Sequence, residues 1–128
     1  MAGELQGKTI LLVDDDRDIM ASMMAVLEDL GPTLVGAGDG NSAVLMAEEH
    51  NPDLVVLDMM LPKRSGFLVM EKLKRGKKRT DKPLIIMITG NRGARHKTYA
   101  ESLGVSAYLN KPFRLEKLVD TITKLLSE

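Results

Sequence analysis

Acidic residues dominate the positions of this sequence that could do chemistry. Three carboxylates stand in a row, Asp14, Asp15 and Asp16, and another, Asp58, ends a separate apolar run. The chain contains no cysteine, which excludes thiolate metal sites and a cysteine nucleophile. Clustered carboxylates repel each other unless a cation neutralises them, and hard oxygen ligands suit Mg²⁺ or Mn²⁺ better than zinc. An aspartate can also act as a nucleophile and carry a phosphoryl group as an acyl phosphate.

A threonine and a lysine complete this set of reactive residues. Thr89 ends one further apolar run, and Lys111 follows another. A threonine hydroxyl and a lysine ammonium are both suited to the oxygens of a phosphoryl group. The residue types therefore indicate phosphoryl chemistry, provided that the fold brings them together.

Short apolar runs alternate with longer amphipathic stretches along the whole chain. This alternation predicts five strand–helix units and hence a parallel sheet that is covered by helices on both faces. The expected class is α/β, a flavodoxin-like doubly wound five-stranded sheet of order 2-1-3-4-5. The predicted strands are Thr9–Val13, Thr33–Ala37, Leu54–Leu57, Leu84–Ile88 and Ser106–Leu109. The predicted helices are Arg17–Leu30, Asn41–Glu49, Gly66–Arg75, Ala94–Leu103 and a last one with its apolar face at Leu115, Leu118, Val119, Ile122, Leu125 and Leu126.

The predicted strand order determines where the reactive residues meet. In open α/β sheets the site lies beyond the carboxyl ends of the strands, where the strand order reverses. Taken singly, each residue has a structural explanation; Asp16, for example, is the expected N-cap of the first helix. Taken together, they predict one crevice with Asp58 at its centre. That crevice would contain Asp14, Asp15, Asp58, Thr89 and Lys111.

The chain resembles the receiver domain of bacterial two-component response regulators. Four stretches and the spacing between them carry the resemblance, which covers nearly the whole chain: ILLVDDD at 10–16, PDLVVLDMMLP at 52–62, ITG at 88–90 and GVSAYLNKPF at 104–113. The resemblance implies a receiver domain over residues 9–128, preceded by an N-terminal extension over residues 1–8.

The resemblance implies that Asp58 accepts a phosphoryl group from a phosphohistidine of a sensor histidine kinase or a histidine phosphotransfer protein. It also implies a site for Mg²⁺, with Mn²⁺ as a possible substitute. Asp15 and Asp58 would bind the metal directly, together with the backbone carbonyl of Met60, and Asp14 would bind through water or shape the pocket.

The resemblance further assigns a conformational switch to this domain. Thr89 and Lys111 would hold the phosphoryl oxygens, and Tyr108 would be the switch aromatic that moves inward with Thr89. The Lys111–Pro112 peptide bond is expected to be cis. The face formed by the fourth helix, fifth strand and fifth helix would contact the downstream protein target.

Two positions beside the implied site affect how long the phosphoryl group would persist. Met60 and Asn91 stand where family members flank the path of the hydrolytic water. An apolar Met60 cannot orient that water, whereas Asn91 has a side chain that is able to. We therefore expect slow-to-moderate intrinsic dephosphorylation.

The amino-acid composition limits which binding partners and which cellular location we expect for this protein. The 128 residues fit one domain, and eighteen basic residues balance eighteen acidic ones. No apolar run approaches the roughly 20 residues of a membrane span, and no apolar signal core lies near the start. We expect a cytoplasmic protein without direct contacts to nucleic acid or membrane, either a monomer or a phosphorylation-dependent dimer. We do not expect an enzyme, beyond self-catalysed phosphotransfer and autodephosphorylation.

Two other functions compete with a phosphoacceptor domain. A Mg²⁺-dependent phosphohydrolase with an aspartate nucleophile would place that nucleophile after strand one, and Asp14 and Asp16 fit its spacing loosely. It would leave Asp58 unexplained. A degenerate receiver that serves only for docking would not need the complete set of reactive residues.

A basic stretch separates the third helix from the fourth strand. A solvated loop is the favoured interpretation, because the stretch has no aromatic residue and lies at the end of the sheet away from the crevice; contact with nucleic acid or an acidic partner is the alternative. Its cations are Lys72, Lys74, Arg75, Lys77, Lys78, Arg79 and Lys82.

Overall fold

A computed structural model describes residues 3–90 and 93–127 of the chain. Strands and helices alternate in it as the sequence predicts. The elements are β1 (Thr9–Val13), α1 (Arg17–Glu28), β2 (Thr33–Ala37), α2 (Gly40–His50), β3 (Leu54–Asp58), α3 (Gly66–Lys74), β4 (Leu84–Thr89), α4 (Ala94–Ser102), β5 (Ala107–Asn110) and α5 (Leu115–Leu126).

The five strands form one parallel sheet in the order β2-β1-β3-β4-β5, which confirms the predicted fold class and topology. Each strand is rich in β-branched and aliphatic residues, as expected for strands that are covered on both faces. The order reverses between β1 and β3, so a crevice opens there at the carboxyl ends of the strands.

Successive strand residues point to opposite faces and feed two separate cores. On one face, Leu11, Val55 and Ile85 pack with buried residues of α2, α3 and α4. On the other face, Ile10, Leu54 and related residues pack with α1 and α5. Two independent cores hold the sheet rigidly, so the strand ends are fixed points from which side chains can project.

Two strands are one residue longer than predicted, and both extensions matter for the site. Asp58 pairs with Ile88 at the end of β3, and Thr89 pairs with Asn110 at the end of β4. Both residues were expected just after their strands, but each is the last residue of its strand that pairs with the neighbouring strand. Their backbones are therefore held by the sheet.

Helix bounds agree with the prediction to within two residues where bounds were predicted. The largest difference is at α1, which ends at Glu28; the chain then turns through Gly31, whose φ of +89° favours glycine. Leu5, within the segment assigned to an extension, is buried in the core on the α1 and α5 side. Among the residues described, none of the helices combines the length and apolar character needed to cross a membrane.

Candidate functional site

The structure brings all five predicted crevice residues to one edge of the sheet. Asp14 and Asp15 follow β1, Asp58 ends β3 and Thr89 ends β4. Carboxylate oxygens of Asp14, Asp15 and Asp58 lie within 4.8 Å of one another. The Lys111 Nζ, just beyond β5, lies 3.2 Å from Asp58 Oδ2 and 3.3 Å from Asp14 Oδ2. The arrangement is three carboxylates opposed by one ammonium.

The three consecutive aspartates have different local environments. Asp16 is the N-cap of α1, as predicted: its Oδ1 accepts hydrogen bonds from the Asp18 and Ile19 N–H groups at 2.9 and 3.2 Å. Asp14 is buried, and its Oδ1 accepts a hydrogen bond from the Asp16 N–H at 2.9 Å. Asp15 is exposed. Of these three consecutive aspartates, Asp14 and Asp15 therefore contribute carboxylates to the crevice, beside that of Asp58.

Asp58 is a buried carboxyl in an environment that disfavours its charge. Burial raises its pKa, and so does the nearby charge of Asp14; the Met60 N–H, which donates to Oδ1 at 3.1 Å, and Lys111 act in the opposite direction. The net shift is upward. For Lys111, burial alone would lower the pKa, but the charges of Asp58 and Asp14 outweigh it and hold the pKa above its usual value. The crevice is thus short of positive charge.

The loop after Asp58 is fixed by close backbone packing. The Met59 N–H donates to the Ile88 carbonyl at 2.8 Å, and the Gly66 N–H donates to the Met59 carbonyl at 2.9 Å. A Cβ at Gly66 would lie 2.7 Å from the Met59 Cα and closer still to the Asp58 carbonyl oxygen. Only a glycine lets α3 begin this close to Asp58. The Met60 side chain lies outside this packing and is 69% exposed.

Thr89 and Tyr108 lie on the neighbouring strands β4 and β5, where Thr89 pairs with Asn110 and Tyr108 pairs with Met87. Thr89 is fully buried, and its carbonyl accepts a hydrogen bond from the Lys111 N–H at 2.7 Å. The Tyr108 hydroxyl oxygen is buried without a hydrogen-bond partner among the described residues, and this burial raises its pKa. Tyr108 packs against the core on the α2–α4 side, so its ring is turned inward in this structure. The Lys111–Pro112 bond is cis, as the resemblance implies.

The fourth helix is held weakly, and sequence reasoning did not identify the aromatic contacts that help to hold it. Ala100 is its buried residue. The Phe67 ring on α3 stacks on His96 at 6.0 Å between centroids and meets the Tyr99 ring edge-on at 4.9 Å. The Tyr99 hydroxyl donates to Glu71 Oε2 at 2.8 Å. The three-residue spacing of His96 and Tyr99, which places both on one helix face, was the available signal.

The cations of the basic stretch are exposed except for Lys74, for which the expectation of a solvated side chain is wrong. This residue is buried, and its Nζ donates to the carbonyl oxygens of Arg79 at 3.3 Å, Asp81 at 2.7 Å and Pro83 at 3.2 Å. Burial lowers its pKa, although Asp81 opposes the shift. Lys74 therefore fixes the loop before β4. Its place on the inward face of α3 was the signal in the sequence.

Two further features bear on the site. An apolar groove of about 480 Å³ opens beside Lys111. It runs between the start of α1 and the β5–α5 connection, and its lining is Asp18, Ile19, Ser22, Lys111, Pro112, Phe113 and Leu115. Asn91, expected beside the hydrolytic water, lies outside the described residues.

Comparison with known proteins agrees with this geometry. The sequence matches the model of the "Response regulator receiver domain" family over residues 10–123. It is 35% identical over 117 residues to the "DNA-binding dual master transcriptional regulator RpaA" of Synechocystis, covering 91% of this chain and 48% of that protein. It is 31% identical over 118 residues to the protein PilH of Pseudomonas aeruginosa, covering 92% of this chain and 97% of PilH.

A solved structure is similar to this chain over nearly its whole length. A CheY-like receiver domain protein from Methanospirillum hungatei superposes with a TM-score of 0.81 at 28% identity, covering 94% of both chains. The chain spans about half the length of RpaA and of other curated relatives that it matches. These matches favour a receiver domain over the phosphohydrolase alternative. The chain belongs to the receiver-domain family of two-component response regulators.

Proposed function

We propose that Asp58 is the residue that accepts a phosphoryl group. The observation that carries this proposal is the position of its carboxylate, buried at the centre of the crevice between the Lys111 ammonium and the carboxylates of Asp14 and Asp15. The upward shift of the Asp58 pKa indicates that negative charge is unfavourable there. Because a phosphoryl group brings further negative charge, the transfer needs the Lys111 ammonium and a bound cation to offset it.

The donor set fits a divalent cation of the Mg²⁺ type. Asp14, Asp15 and Asp58 offer only carboxylate oxygens, within 4.8 Å of one another, and the described residues around them bring no thiolate or imidazole to the cluster. Asp15 and Asp58, with the Met60 backbone carbonyl, are the proposed direct ligands, and Asp14 shapes the pocket. When bound, the cation supplies positive charge that offsets the carboxylates and the incoming phosphoryl oxygens.

The transfer step follows from the positions of the side chains. A carboxylate oxygen of Asp58 forms a bond to phosphorus while the phosphorus–nitrogen bond of a phosphohistidine breaks, and the electron pair stays on the imidazole nitrogen. Lys111 and the Thr89 hydroxyl, both at the same edge, hold the oxygens of the transferred group. The Met60 N–H fixes the orientation of the acceptor carboxylate at 3.1 Å.

The donor is a sensor histidine kinase or a histidine phosphotransfer protein. The apolar groove beside Lys111 gives such a partner a surface next to Asp58, with Ile19 and Phe113 among its lining residues. Downstream, Thr89 and Tyr108 connect the acceptor to β4 and β5. The weakly held α4, whose buried residue is Ala100, is the element that a new charge in the crevice can displace at least cost.

The decisive experiment is labelling by acetyl phosphate in the presence of Mg²⁺. We expect one phosphoryl group per chain, no labelling of Asp58→Asn, and loss of labelling when EDTA is added. Asp16→Asn is the matched control. The Asp16 carboxylate accepts hydrogen bonds from the first N–H groups of α1, and asparagine also caps helices, so labelling should be unchanged. Unimpaired labelling of Asp58→Asn contradicts the acceptor assignment. Multiple turnover on phosphomonoesters would instead establish the phosphohydrolase.

A further inference from the structure

We propose that the edge of the sheet opposite the Asp58 crevice binds the phosphate backbone of a nucleic acid duplex. We call this surface the basic band. Its residues are Lys72, Arg75, Lys77, Lys78, Arg79 and Lys124, and all six are exposed. The first five lie in the last turn of α3 and in the loop before β4, and Lys124 lies in the last turn of α5.

Five of the six cations share a cavity with another member of the basic band, and Lys78 lies between Lys77 and Arg79 in the chain. Lys72, Arg75 and Lys77 line one cavity of about 240 Å³, and Arg75 and Lys77 also line a second of about 410 Å³. On the far side of the loop, Arg79 and Lys124 line a third cavity of about 400 Å³. The basic band therefore extends from α3 to α5 as one surface.

Three anions lie near the basic band: Glu48, which is exposed and lines a cavity with Lys72 and Arg75, and two others that accept hydrogen bonds. The Asp81 carboxylate accepts a hydrogen bond from the Lys78 N–H at 2.8 Å, and Glu71 accepts one from the Tyr99 hydroxyl at 2.8 Å. In the part of the chain that the structure describes, the ion pairs formed by lysines involve none of the basic band. The chain as a whole is neutral, so this is a local excess of positive charge.

The backbone beneath the basic band is fixed before any ligand arrives. The buried Lys74 ammonium ties the carbonyls of Arg79, Asp81 and Pro83 together. The Lys77 Nζ donates to the Lys82 carbonyl at 3.1 Å, which closes the same loop. A surface that is ordered in advance loses less entropy on binding than a free basic tail does.

The absence of apolar side chains selects the ligand. Within residues 72–83, Leu73 and Pro83 are buried, and the exposed positions include no aromatic residue. Protein interfaces need an apolar core, membrane surfaces need an apolar wedge, and single strands need stacking rings. A regularly charged phosphate backbone needs only cations, whose binding releases counterions from the duplex. This proposal departs from the expectation of a solvated loop because the cations converge on a fixed surface.

Binding is measured by fluorescence anisotropy with a labelled mixed-sequence DNA duplex of about 20 base pairs, using the full chain. If all six cations contact phosphates, we expect affinity to fall about a thousandfold between about 50 and 200 mM salt. The charge reversal Lys78→Glu with Arg79→Glu should weaken binding at the lower salt concentration about tenfold or more and flatten the salt dependence.

The matched control is Lys97→Glu with Lys117→Glu, which makes the same change in net charge at exposed positions of α4 and α5. We expect its affinity to stay within about twofold of the parent. Equal losses in both double variants, undetectable binding by the parent at low salt, or equally tight binding of poly-glutamate would each overturn the proposal. Labelling by acetyl phosphate, which tests Asp58 alone, should be unchanged in the variants, so failure here is distinct from failure of the proposed function.

Discussion

The contact between Gly66 and the Asp58–Met59 backbone yields the most direct test of the structure. In Gly66→Ala, the new Cβ lies 2.7 Å from the Met59 Cα and closer to the Asp58 carbonyl oxygen. These are backbone atoms, so no side-chain rotation can relieve the overlap. Either α3 or the Asp58–Met59 segment must move, and the hydrogen bond from the Gly66 N–H to the Met59 carbonyl, 2.9 Å long, is strained.

Overpacking of this kind costs about 1–3 kcal/mol, and the rigid backbone on both sides favours the upper part of that range. Alanine recovers up to about 1 kcal/mol through its higher helix propensity. We therefore expect Gly66→Ala to lower the free energy of unfolding by about 2 kcal/mol. For a domain of this size that corresponds to a Tm lower by about 8 °C.

Urea unfolding and thermal unfolding, each followed by circular dichroism, measure this change. Gly38→Ala is the matched control, because a Cβ there meets nothing within 4 Å; its free energy of unfolding should stay within about 0.5 kcal/mol of the parent. Labelling of Gly66→Ala by acetyl phosphate should also be slower, since the Asp58 backbone is displaced. Equal stability of the two alanine variants would refute the packing of α3 on the Asp58–Met59 segment.

Four further predictions concern other parts of the domain. Lys74→Met should lower the free energy of unfolding by about 2–4 kcal/mol, because three carbonyl oxygens lose their donor. Without divalent cations, Asp58→Asn should gain stability relative to the parent as pH rises above the usual aspartate pKa of 3.8, because the raised pKa means that the parent loses stability in that range. Tyr99→Phe should speed amide hydrogen exchange in α4 while lowering global stability by only about 0.5 kcal/mol. Met60→Asn should shorten the lifetime of the acyl phosphate, whereas the parent should lose it slowly.

Each of these predictions has an outcome that contradicts it. A stable Lys74→Met would show that water satisfies the loop carbonyls. A parallel pH dependence of unfolding in the parent and Asp58→Asn would show that the Asp58 pKa is not raised by folding. Unchanged amide hydrogen exchange of α4 in Tyr99→Phe would mean that contacts other than the Tyr99–Glu71 hydrogen bond hold this helix. For Met60→Asn, a parent lifetime of seconds that the substitution leaves unaltered would count against a role for this side chain.

The fold and the membership of the crevice could be predicted from the order of the amino acids. Apolar runs alternating with amphipathic stretches specify strands and helices, and parallel crossovers then leave few topologies. Asp14, Asp58, Thr89 and Lys111 each adjoin a strand end, so the topology alone brings them together. Such residues are predictable because the backbone of the sheet, rather than side-chain packing, sets their positions.

The contacts between side chains of different elements could not be predicted in this way. Nothing in the spacing of Phe67 and Tyr99 reveals that their rings meet, since this depends on how far apart α3 and α4 lie. Likewise, a basic run does not show that the Lys74 ammonium turns inward to three carbonyls while its neighbours face solvent. Periodicity reports which face of an element is buried. The partner on that face is set by interhelical distance, rotamers and loop path, which emerge only when the whole chain is packed.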